Sequence, residues 1–544
     1  MIERVLGLRT FLIFLVMVIV LKLYSLCIVN HNELRKRAEQ QSTVKINVNM
    51  GRNDFLDRHN RHITGIEKKG YIAIVTSKNE EQDRKNCDFI ECYSSENSEE
   101  IYKRLKENGK TFVETNVDIN QINIGEIRYL TKFNIPSRYL NDYPAASLIG
   151  YISDNEGVYG LEKVYNNYLV NDSSGAYVRI DAFRNVIGNM AYAGNSGSEK
   201  VKLTLDLSYQ RIVEEIIENS GYSCSVVMLD VESFDVLAMA SAPSFKQDMI
   251  SIYLNDTTGI LQNKSMLAYD MGSIFKIVVT AAALENNLID LNKLYYCKGS
   301  LNVSGKKFDC HNVYGHGWQT ITDAFKNSCN CVFIELGKEI GYKNILEMAK
   351  KFCLGRKNLN PLELEQQKGM LPDANNYYLA DLANLSIGQG KLSGTVLDGA
   401  IISAVIASGG QVKSVICVEG ITDSYGQKIK SLKIENKKQI ISEKTAEIIK
   451  NMMYATNQSG TGTNARLDNY SSGGKPGSAQ TGWYVDGENY QHGWFTGFFP
   501  VDKPRFALCV FVENGKSGSE SAAPIFSKIG SAIMNEERNF EYEH

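Results

Sequence analysis

Eleven consecutive apolar residues, Phe11 to Leu21, open the pattern of this chain, and after Lys22 the apolar character resumes to Val29. Together they approach the ~20 residues that cross a bilayer. Lys22 has a stem long enough to carry its charge to the headgroups. No small-residue cleavage site follows, so the run predicts a retained anchor helix rather than a removed signal peptide. Beyond it the pattern alternates between short apolar runs and helical periodicity. Val201–Asp206 reads as a strand and Ser208–Ser220 as an amphipathic helix. Ser225–Asp230 and Val236–Ala240 read as two antiparallel strands, Met271–Leu284 as a helix, Phe506–Val512 as a late core strand and Ala523–Met534 as a closing helix. The stretch Lys78–Asn97 has few apolar anchors and is expected to be a loop or poorly ordered insertion.

With 544 residues the chain has room for two to four domains. Its formal charge of −3 leaves no electrostatic footprint for nucleic acid. No G-x-x-x-x-G-K-[ST] phosphate loop is present, and no tandem repeat. Arg4 and Arg9 precede the apolar run and Arg35, Lys36 and Arg37 follow it, so the distribution of basic residues barely sets an orientation. Eleven cysteines are many for an oxidising compartment. Cys224, Cys353, Cys417 and Cys509 sit in apolar surroundings and read as buried thiols. Cys87 and Cys92 are spaced for a possible pair.

The chemistry concentrates in four ordered pieces: Ser273-Ile-Phe-Lys276, Ser328-Cys329-Asn330, Ile387-Gly388-Gln389-Gly390 and Lys475-Pro476-Gly477-Ser478. A serine needs an adjacent base to become a nucleophile. Three residues on along a helix, Lys276 shares a face with Ser273. Lysine serves as a base only when burial and neighbouring cations lower its pKa, and Lys475 is the candidate neighbour. A serine at a helix N-terminus also sits in a field that favours a developing oxyanion. Beside the second piece lie Cys297, Cys310, His316 and Cys329, at spacings of 13, 6 and 13. A Cys₃His set is a closed structural zinc pattern. Reduced core cysteines beside a loop histidine are the other reading, and His311 and Cys331 are spare donors.

This ordered set resembles the active-serine constellation of penicillin-binding proteins and serine β-lactamases. The chain as a whole resembles a class B penicillin-binding protein, a membrane-anchored peptidoglycan D,D-transpeptidase. Further matches are Arg52 and Asp57-Arg58, Gly160-Leu161-Glu162, Leu203-Thr204-Leu205-Asp206, Ala238–Pro243 and His492–Gly497. The resemblance implies a mixed α/β transpeptidase domain, an antiparallel sheet flanked by helices, over residues 200–544. It implies an elongated α+β pedestal over 31–199, and a cytoplasmic tip with one transmembrane helix over 1–30. The catalytic domain would then be extracytoplasmic.

Within that resemblance Ser273 is the nucleophile and Lys276 the base. Ser328, Asn330 and Lys475 order the site, and Gly477 lies where the substrate backbone approaches. The N–H groups of Ser273 and Ser478 form the oxyanion hole. Some elongation-type relatives hold zinc beside the S-x-N motif, which implies a structural Zn²⁺ on Cys297, Cys310, His316 and Cys329. No organic cofactor is implied. The partners implied are peptidoglycan stem peptides, β-lactams, the bilayer and a glycosyltransferase. The departure is Pro476, where the family has a hydroxyl residue that helps bind the substrate carboxylate. A catalytically weakened scaffold of a cell-wall complex is therefore one alternative, and a β-lactamase or β-lactam sensor another.

Overall fold

A computed structural model describes every residue except 1, 32, 35–41, 47–51, 66–67, 125–126, 154, 171–174, 184, 188–190, 194–198, 424, 435, 486–487 and 544. Arg35, Lys36 and Arg37, which bear on orientation, lie outside the described residues. The apolar run is helical, in α1 (Ile2–Tyr24), and continues as one wider turn through Ser25–Val29. Gly7–Val29 forms a helix long and apolar enough to cross a membrane. At 1.5 Å per residue its 23 residues span about 34 Å.

The chain divides into two compact units. The first comprises Met1–Arg52, Ile66–Arg138 and Asn171–Ser196. Its core is a three-stranded antiparallel sheet, β1 (Lys68–Val75) between β2 (Lys110–Glu114) and β3 (Leu130–Pro136), packed by α2 (Glu80–Glu91) and α3 (Ser98–Asn108). The segment expected as a loop at Lys78–Asn97 is thus mostly helix. Asn79 caps α2 by accepting from the N–H groups of Glu81 and Gln82, and acidic residues fill the first turn. Cys87 and Ile90 supply a narrow apolar stripe that is fully buried. Two well-placed apolar residues and a cap hold a helix that average polarity disguised. Cys87 is buried and Cys92 exposed, both as free thiols, so this pair does not form a disulfide.

The second unit comprises Asn53–Gly65, Tyr139–Val170 and Gly197–His544. Two segments expected in the pedestal therefore belong with the larger unit, and the boundary near residue 200 is crossed by earlier chain. Asp57 fixes the first of them. It is fully buried and accepts from the Arg61 guanidinium at 2.7 Å and from the N–H groups of His59 and Arg61 at 2.8 Å. Arg61 in turn donates to Asp206 at 2.7 Å.

The central sheet of this unit has five antiparallel strands in the order β5-β4-β8-β7-β6. They are β4 (Cys224–Asp230), β5 (Val236–Ala242), β6 (Gly473–Val485), β7 (Glu488–Phe499) and β8 (Phe506–Val512). Side chains alternate across a strand. Val226 and Met228 accordingly enter one apolar cluster with Val213 and Ile217 of α4 (Leu207–Glu218) and Phe526 and Ile529 of α9 (Ala523–Glu543). Val227 and Leu229 enter the other, with α5 (Lys276–Glu285), α6 (Asn330–Ile340) and α7 (Val396–Ala407). Helices on both faces explain why β4, β5 and β8 read as nearly unbroken apolar runs. α7 approaches most closely: a Cβ on Gly399 would sit 2.5 Å from the Cys509 sulfur. α8 (Glu443–Ser459) packs on β6, the edge strand that carries the Lys475 motif.

Candidate active site

Ser273 does not start the α-helix. Gly272–Phe275 forms a 3₁₀ turn, and α5 begins at Lys276. Gly272 makes the turn possible. Its φ is +58°, and a Cβ there would come within 2.7 Å of the Ser478 carbonyl oxygen. The turn is thereby pressed against β6. The neighbouring Gly388 has φ +75°, and its carbonyl accepts from the Gly272 N–H at 2.9 Å. A Cβ on Gly477 would meet Ile274 at 3.0 Å. Three glycines, one just before Ser273 and one in each of two other motifs, let three backbones converge on the serine.

Lys276 is fully buried. Its ammonium donates to the Ser328 carbonyl at 2.8 Å, the Ser328 hydroxyl at 3.3 Å and the Asn330 amide oxygen at 2.8 Å. Burial lowers its pKa to about 8, against an opposing pull from the thiols of Cys329, Cys310 and Cys331. Ser328 is held at φ +52°, an unusual conformation for a residue with a Cβ. Cys329 is the N-cap of α6, and Asn330 is its first residue. Asn330 also donates to the Asp309 carbonyl at 3.1 Å, which ties the motif to the hairpin Ser300–Val303/Lys306–Asp309.

Lys475, on β6, is likewise fully buried, and its pKa is lowered, first by burial and then by the charge of Lys276. Its ammonium donates to the Pro476 carbonyl at 3.3 Å and lies 5.8 Å from the Phe325 ring centroid. Pro476 pairs with Phe495 on an edge strand, where a missing N–H is tolerated. The Ser478 hydroxyl accepts from the Gly518 N–H at 3.2 Å, which leaves its own proton to donate. Gln389 donates to the Ser478 carbonyl at 3.3 Å.

A cavity of about 900 Å³ joins these pieces. Ser273, Ser328, Asn330, Pro476, Gly477 and Ser478 all line it. Lys276 and Lys475 are fully buried, and Lys276 connects to the cavity through its bonds to Ser328 and Asn330. Sequence reasoning did not single out the other wall, formed by Lys306, Lys307 and Phe308 of the hairpin, nor Asp270. The Gly388-Gln389-Gly390 turn carried the signal for Gln389. Nothing in the sequence marked the hairpin.

The sulfur and nitrogen cluster lies against this site. Ligand atoms of Cys297, Cys310, His316 and Cys329 all fall within 4.8 Å of one another. The Cys310 sulfur is 3.9 Å from that of Cys329 and 3.6 Å from His316 Nδ1. A tetrahedral zinc, with bonds of about 2.3 Å to sulfur and 2.0–2.1 Å to nitrogen, would place sulfurs about 3.8 Å apart and sulfur and nitrogen about 3.6 Å apart. The two separations fit. Burial holds His316 toward the neutral imidazole a metal requires.

A buried lysine pair, a serine on a 3₁₀ turn and an edge strand beside a helix-covered antiparallel sheet together define an active-serine acyltransferase architecture. The penicillin-binding protein transpeptidase domain model matches residues 224–531. The chain belongs to that family. Stage V sporulation protein D of Bacillus subtilis is 30% identical over 411 residues, 72% of this chain and 63% of the relative. The peptidoglycan D,D-transpeptidase MrdA of Haemophilus influenzae is 27% identical over 70% of this chain and 63% of the relative. The alignments thus span under two thirds of these relatives' length. The fold matches penicillin-binding protein 3 of Mycobacterium tuberculosis, complexed with aztreonam, with a TM-score of 0.65 at 22% identity over 90% of this chain and 96% of that one. The expected resemblance to class B penicillin-binding proteins and the expected mixed α/β fold are borne out.

Proposed function

We propose that this chain is a peptidoglycan D,D-transpeptidase that cross-links stem peptides through a Ser273 acyl-enzyme and is inhibited by β-lactams. The observation that carries the reading is Lys276. It is fully buried, fixed by Ser328 and Asn330, and depressed to about pKa 8, so part of it is neutral and basic near neutral pH. Ser273 Oγ attacks the carbonyl between the two terminal D-alanines as its proton passes to Lys276 Nζ. The N–H groups of Ser273 and Ser478 hold the oxyanion. The C–N bond breaks, and the leaving D-alanine amine takes a proton through the Lys276–Ser328 pair. The amine of a second stem peptide then attacks the ester and regenerates Ser273. The free proton of the Ser478 hydroxyl receives the substrate carboxylate in place of the hydroxyl that Pro476 lacks.

Zinc on Cys297, Cys310, His316 and Cys329 belongs to the same proposal. Four protein ligands leave no open position, so the metal supplies structure: it would brace Cys329, and with it Ser328 and Asn330. The 7–29 helix is read as a single membrane crossing, with the chain that follows it outside the cell and a glycosyltransferase as partner. The discriminating experiment is reaction with a penicillin followed by intact-mass and peptide analysis. One adduct on Ser273 with slow release supports the transpeptidase, rapid release indicates a β-lactamase, and absence of an adduct indicates a scaffold.

A further inference from the structure

A second cavity in the larger unit, of about 590 Å³, shares no wall residue with the serine cleft. Its wall carries five cations, Arg356, Lys357, Lys413, Lys437 and Lys438, and among the described residues no carboxylate. Two of the cations are in a costly position. The strands Gln411–Lys413 and Lys437–Gln439 pair antiparallel with Lys413 directly opposite Lys437. Like charges in that register repel. Lys413 responds: its pKa is lowered, first by burial and then by Lys437.

Among the described residues, which leave out Glu435 between the wall residues Ile434 and Asn436, nearby acids do not pair with the group. Glu232 and Asp230 act on Lys413, but its ammonium donates to the Glu232 backbone carbonyl. Asp398 acts on Arg356, yet its oxygens are taken by the Asn358 amide at 2.7 Å and the Thr395 N–H at 2.8 Å. Lys357 donates to the carbonyls of Leu362 and Leu364 at 3.0 and 2.9 Å. Beside the cavity, sharing Asn360, Leu362 and Ile434 with it, runs a trough of about 410 Å³ lined also by Tyr165, Tyr168 and Leu432, with one carboxylate, Glu363.

We propose that the cationic cavity binds a phosphate group, either free or as the headgroup of an amphiphile whose apolar part lies in the adjoining trough. Several ammoniums around one concavity suit the multiple oxygens and charges of phosphate better than a single carboxylate; Arg356 adds its charge, while its Nε and Nη2 donate to Asn358 Oδ1 at 3.0 Å and Cys353 Sγ at 2.7 Å. The repulsion between Lys413 and Lys437 is relieved when the anion binds.

The test is calorimetric titration of the full chain in detergent at about 0.15 M ionic strength, with inorganic pyrophosphate, dihexanoyl phosphatidylglycerol and a hexaglutamate peptide as probes. Saturable binding of a phosphate probe is expected. Lys413→Gln/Lys437→Gln should weaken it by roughly tenfold or more, since both groups make charge-assisted hydrogen bonds. The same double variant should melt higher than the wild type when ligand-free, because the facing like charges are gone. Its Ser273 acylation rate should be unchanged, which keeps this test separate from the transpeptidase reading. Tighter binding of the phospholipid assigns an amphiphile, and tighter binding of pyrophosphate assigns free phosphate. Lack of saturation by either, equal affinity in the double variant, or tighter binding of hexaglutamate would overturn the proposal.

Discussion

Acylation of this protein should depend steeply on pH, with the limb set by Lys276. The lysine is buried and depressed from 10.5 to about 8. With that value about one-hundredth is neutral at pH 6, about one-tenth at pH 7 and half at pH 8. Only the neutral form accepts the Ser273 proton. The second-order rate of acylation should therefore rise about tenfold from pH 6 to 7 and about fivefold from 7 to 8, then level off above pH 9. Asn330→Ala moves the limb. Its amide oxygen accepts from the ammonium at 2.8 Å, and a hydrogen bond to a charged group contributes about 1.5–3 kcal/mol. Losing it disfavours the protonated form, so the limb should shift about one to two pH units lower, while the plateau also falls because Lys276 is less well positioned. Stopped-flow acylation with a chromogenic cephalosporin from pH 5.5 to 9.5 gives both curves. A wild-type rate flat across pH 6–8.5, or an Asn330→Ala limb displaced upward, would refute Lys276 as the base.

The remaining tests bear on Pro476 and on the metal. Pro476→Thr restores a hydroxyl on the edge strand and should speed acylation by carboxylate-bearing β-lactams, by up to the equivalent of about 1.5–3 kcal/mol. An unchanged rate would mean that Ser478 or a shifted strand already supplies the contact. Elemental analysis should find one zinc per chain, lost in Cys310→Ser and in His316→Ala. Chelation should lower the melting temperature and slow acylation without changing which residue is labelled. Full stability without metal would remove zinc from the account.

The site was more legible than the frame that carries it. Ser273, Lys276, Ser328, Asn330 and Lys475 are marked by their order and the family resemblance, and Cys297, Cys310, His316 and Cys329 by residue type; Ser273, Ser328 and Asn330 line one cavity, Lys276 bonds Ser328 and Asn330, and the four ligand atoms cluster. β8 coincides with its sequence reading because every one of its residues is buried. α2 was missed because a helix needs only a stripe, here Cys87 and Ile90, and mean polarity hides a stripe. The grouping of an early segment with the larger unit is illegible for a different reason. What holds Asn53–Gly65 in the larger unit is the Asp57–Arg61–Asp206 network, a contact 145 residues apart between Arg61 and Asp206, which no local pattern encodes. The hairpin wall of the cleft was hidden in the same way. Its link to the site runs from Asn330 to a backbone carbonyl, which has no side-chain signature.

The central claim is that Ser273 is acylated, and one measurement reaches it directly. Purified protein is incubated with benzylpenicillin at pH 8 and its intact mass is recorded, followed by peptide mapping. The account predicts a single added penicilloyl mass on Ser273, absent from Ser273→Ala and nearly absent from Lys276→Ala. An unmodified wild-type mass, or an adduct that persists in Ser273→Ala, would contradict it.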